Sequence, residues 1–83
     1  MRFFFHLHEP DGDVRDEEGL ELPSVEEAFR RAIQGARSLI ASDVLAGALP
    51  LATTMVVEDE AGGRAFELPF RDAVRIEGGV GGR

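Results

Sequence analysis

The sequence predicts an α+β domain of order β-β-α-β-β, with one long amphipathic helix laid on one face of a small, mostly antiparallel sheet. Three observations predict it. Ser24 and Glu27 form a capping box behind Pro23, and Gly47 with Pro50 ends the same segment. Between them, Val25, Ala28, Phe29, Ala32, Ile33, Ala36, Leu39, Ile40 and Val44 recur at three- and four-residue spacing, which is helical. Short alternating segments bounded by Gly, Pro and Asp flank this helix on both sides, which is strand-like.

Residues 2–8 form the first expected strand. Phe3, Phe5 and Leu7 share one face; Phe4, His6 and His8 share the other. A strand apolar on both faces belongs in the middle of its sheet. Glu9-Pro10-Asp11-Gly12-Asp13 then reads as a hairpin turn. Residues 14–22 form a weaker strand whose acidic shoulder, Asp16-Glu17-Glu18, suits an exposed edge. The helix runs from Ser24 to about Gly47 and is expected to pack Phe29, Ile33, Ala36 and Ile40 on Phe3, Phe5 and Leu7. Thr53–Glu58, rich in β-branched residues, is the third strand. Asp59-Glu60-Ala61-Gly62-Gly63 turns the chain into a fourth, Arg64–Phe70, where Pro69 marks an edge or an end. Residues 72–76 form a turn or last strand expected to tuck Val74 and Ile76 inward.

Eighty-three residues make a single domain, placed at 1–76, with 77–83 a glycine-rich tail. A hydrophobic fraction of 43 % is ordinary for a folded protein, although so short a chain has little core to spare. With no cysteine there is neither a disulfide nor a thiolate metal site. No apolar run approaches a membrane span and the first residues do not form a secretory signal, so the expected compartment is the cytoplasm. The net charge is −7 and every basic residue is arginine. That balance argues against a nucleic-acid partner, which clustered basic residues would hold.

Candidate sites are few. His6-x-His8 puts two imidazoles on one strand face, a spacing used by zinc sites that have further ligands. Glu9, Asp11, Asp13 and Glu58 are the nearest donors, but nothing in the pattern marks them, so no metal and no cofactor is expected. Asp43 falls in the middle of the apolar arc of the helix. Either it is a buried charge that needs an Arg or His partner, or the helix end has left the core. Ser24 is a cap, and Ser38 and Ser42 lie on the polar arc, so no nucleophile has a base. The chain reads as no enzyme, with no small-molecule substrate evident. The face bearing Phe4, His6 and His8 is left open, which points to a homo-oligomer or a protein partner seated there.

The segments Arg2–Leu7, Asp16–Pro23, Ala36–Ala41 and Leu68–Val74 together resemble a family of small bacterial proteins known as a domain of unknown function. Its marks are a phenylalanine-rich first strand, a D-E-E-G-x-E-L-P element and a closing L-P-F-x-D-A-V. The resemblance spans about residues 2–76 and implies no activity. The order β-β-α-β-β with Gly81-Gly82-Arg83 also resembles ubiquitin-like modifiers, which implies conjugation through the C-terminal glycines. The expected role is a non-enzymatic interaction module that self-associates through the open sheet face. The alternatives are such a modifier, or an antitoxin-like regulator of a basic partner protein.

Overall fold

A computed structural model describes residues 1–78. It has β1 (Arg2–Glu9), β2 (Gly12–Val14), β3 (Leu20–Glu21), α1 (Val25–Leu45), β4 (Thr54–Asp59) and β5 (Arg64–Pro69), followed by a 3-10 turn at Phe70–Asp72. This is the α+β architecture that the pattern predicts. The sheet is antiparallel in the order β2-β1-β4-β5, with β3 also paired to β1. β1 is central, as its two apolar faces require. The glycine tail beyond Gly78 lies outside the described residues.

One expected strand is corrected. Residues 14–22 do not form a single strand. β2 pairs with the end of β1 through Leu7↔Val14, and β3 pairs with its start through Phe3↔Leu20. The segment 15–19 between them leaves the sheet and arches over the face away from α1.

α1 begins as its sequence directs. Ser24 is the N-cap, its hydroxyl accepting from the Glu27 N–H at 3.1 Å. The return half of the capping box is not made, because the Glu27 carboxylate binds Arg30 instead. At the other end the Ala48 N–H donates to the Asp43 carbonyl and the Gly47 N–H to the Val44 carbonyl. Gly47, at φ +97°, supplies the left-handed turn of this Schellman closure.

The core lies between α1 and the sheet. Ala28, Ala32, Ala36 and Ile40 are buried against Phe3, Met55, Val57, Leu68, Phe70 and Ala73. Phe5, Leu7, Ile33 and Phe66 pack around them. The helix therefore approaches through small side chains. Phe29, expected in the core, is 42 % exposed. Its ring instead meets Phe66 edge-on at 5.3 Å. Ile76 is likewise exposed rather than tucked inward. The C-terminal turn is pinned to α1 by Arg37, whose Nε donates to the Ala73 carbonyl at 2.6 Å. Among the described residues no helix is long and apolar enough to cross a membrane.

Candidate functional site

The densest polar arrangement lies on the sheet face away from α1, where β1, β4 and the 15–19 arch meet. β1 exposes a gap along its outer edge between β3 and β2. There the Phe5 N–H, with no strand beside it, donates to Asp16 Oδ2 at 3.0 Å. Asp16 Oδ1 accepts from the Glu18 and Gly19 N–H groups at 3.2 and 3.1 Å, which closes the arch on itself. Arg2 holds the far end, donating from Nη1 to the Glu18 carbonyl at 2.7 Å. Burial pushes the Asp16 carboxyl up, but the N–H groups of Phe5, Gly19 and Glu18, with His6 nearby, outweigh it. The net effect holds Asp16 below its ordinary value of 3.8.

The arch covers His6, which is only 6 % exposed. Nδ1 lies 3.0 Å from the Asp16 N–H and Nε2 lies 3.1 Å from Glu58 Oε1. A backbone N–H can only donate, so Nδ1 accepts, and the neutral ring carries its proton on Nε2 toward Glu58. Arg15 Nη2 stands 3.4 Å from the same nitrogen and 3.9 Å from Glu58 Oε1. With Nε2 already a donor, the guanidinium answers the carboxylate. The Phe4 ring lies parallel to His6 at 6.5 Å. Gly19 allows the arch to close on that ring. Its φ is +72°, and a Cβ there would stand 2.8 Å from Phe4 Cε2.

The expected open face is thus not one surface. Phe4 is half-buried, His6 is sealed, and His8 is exposed and paired with Asp13 at 2.8 Å. The two imidazoles bind different carboxylates, His6 that of Glu58 and His8 that of Asp13. Among the described residues no three His, Cys, Asp or Glu side chains gather to hold a metal ion. Nor does any buried side-chain nitrogen or oxygen among them lack a hydrogen-bond partner.

Asp43 settles on the other alternative. It is exposed, as is every residue from 41 to 49. The helix end has left the core, and no buried charge exists there. The residue the sequence undervalued is Asp16, whose signal was its place before Gly19 in an otherwise edge-like acidic run. An open face for a partner was expected where the chain covers itself.

Apolar surface lies elsewhere. A groove of about 420 Å³ between the first turns of α1 and β5 is lined by Val25, Glu26, Phe29, Arg30, Ala65 and Phe66. Val44, Leu45 and Leu49 stand out at the opposite end of the helix.

The family model described as Domain of unknown function (DUF6894) matches residues 2–71. No curated protein and no solved structure matches the chain.

Proposed function

Since the chain belongs to the DUF6894 family of domains of unknown function, we propose its role from its own surface: a non-enzymatic protein-interaction module that self-associates. The observation that carries this is the mismatch between the helix and the sheet beneath it. α1 has 21 residues and reaches about 31 Å. Its buried stretch, Ala28 to Ile40, covers only about 18 Å of that. Val25 at one end, and Val44 and Leu45 at the other, remain exposed, as does Phe29 on the flank beside Phe66. A domain this small gains stability by covering such side chains in a second molecule.

The polar cluster supports a structural role. Both nitrogens of His6 have fixed partners, and the Ser24 hydroxyl serves as a helix cap. The Phe4–His6–His8 face gives little to a partner, because the chain's own arch lies across it.

Sedimentation equilibrium from micromolar to millimolar concentration tests the proposal. The expected result is a concentration-dependent dimer. A monomer at every concentration, with an unchanged melting temperature, would sink it.

A further inference from the structure

We propose that a second copy of this chain docks in the groove between α1 and β5, in a two-fold antiparallel contact of the two helices. The inference rests on the self-association proposed above and gives it a surface. Phe29 and Val25, 42 % and 43 % exposed, stand with Ala65 and Phe66 on the groove floor. Glu26 and Arg30 line the same groove, four residues apart on one helix face. Arg30 reaches Glu27, while Glu26 makes no ion pair among the described residues.

Charge selects the occupant. At net −7 the chain repels its own copies over most of its surface. In the groove the signs balance, since its charged lining is one acid, Glu26, and one base, Arg30. A two-fold axis at the height of residue 28 along α1 sets Glu26 of each copy opposite Arg30 of the other. The two Phe29 rings then close on one apolar floor.

An extended peptide fits the place poorly. The Phe70 N–H bonds inward to the Thr53 carbonyl, so Pro69 faces the outer edge of β5, where it has no N–H to offer. The strand is also bulged at Ala65, since Val57 pairs with Phe66 but Glu58 pairs with Arg64. Side chains, not backbone, are what the groove presents.

Charge reversal in the full chain tests the contact, read by sedimentation equilibrium with circular dichroism as the folding control. Glu26→Arg and Arg30→Glu should each weaken the dimer roughly tenfold, since each turns two symmetric attractions into repulsions. The double reversal restores both pairs and should bring the affinity back to near that of wild type. Phe29→Gln should dissociate the dimer while the helix signal stays. If wild type associates but ignores all of these changes, the groove is the wrong surface. Dissociation by Leu45→Asp alone would place the contact at the far helix end and overturn it equally. A wild type that never associates would refute self-association itself, and this contact with it.

Discussion

At neutral pH the Asp16 carboxylate accepts from three backbone N–H groups, and one of them, at Phe5, belongs to another element. Asp16→Ala leaves that N–H without a partner and should cost about 1–3 kcal/mol in chemical denaturation. The pH dependence follows from the direction of the shift. The folded value lies below 3.8, so Asp16 stabilises the fold above its unfolded value and loses that contribution as pH falls through the folded one. Melts of wild type and Asp16→Asn should therefore differ at pH 7 and converge in strong acid. A gap that stays constant would remove Asp16 as the source. Gly19→Ala should destabilise by roughly 1 kcal/mol or more, because it combines a positive φ with a contact against Phe4. If it melts with wild type, the arch does not seat on that ring. None of these partners was legible in the sequence. Alternation places Phe4, His6 and His8 on one face, but it carries no information about a loop ten residues away that folds back onto His6.

At the scale of the helix, the pattern was read correctly for the alanine stripe, wrongly in angle for Phe29 and wrongly in reach for Asp43. The stripe Ala28, Ala32, Ala36 and Ile40 is the one buried. Asp43 lies beyond the end of the sheet, whereas Phe29, between the buried Ala28 and Ala32 in height, turns to the flank and meets Phe66 of β5. Periodicity reports direction around the axis; only the extent of the strands decides where burial stops. Two substitutions separate the regions. Phe29→Ala should cost about 1–2 kcal/mol in the monomer, less than a core aromatic, since much of its ring already faces water. Ala36→Leu should cost about 1–3 kcal/mol, because the helix rests on the sheet through that small side chain. Thermal denaturation of dilute protein ranks them, and the reverse order would mean that the helix is seated on Phe29 after all. Both ends of α1 were legible because capping is local chemistry, settled at one end by Ser24 and the Glu27 N–H and at the other by Gly47.

For the molecule as a whole, association should show as stability that depends on concentration. A dimer formed only by folded chains raises the melting temperature with protein concentration, and the Phe29→Gln variant should lose that dependence. Architecture was legible at this scale, because the central place of β1 follows from its being apolar on both faces and the helix placement from its one apolar stripe. Of the sealing of the sheet's margins, only Pro69 was. β5 is closed to further strands by Pro69 and the bulge, whereas β1 is closed over Phe5 by one carboxylate. Three consecutive phenylalanines, Phe3 to Phe5, thus sit in a β-strand whose outward hydrogen-bonding site is stoppered by an ionisable group. Removing that stopper opens to other chains the stretch of the β1 edge that β2 and β3 leave uncovered, against the mutual repulsion of acidic chains. Asp16→Ala, at neutral pH with salt added to screen that repulsion, should grow thioflavin-positive fibrils under conditions where wild type stays clear.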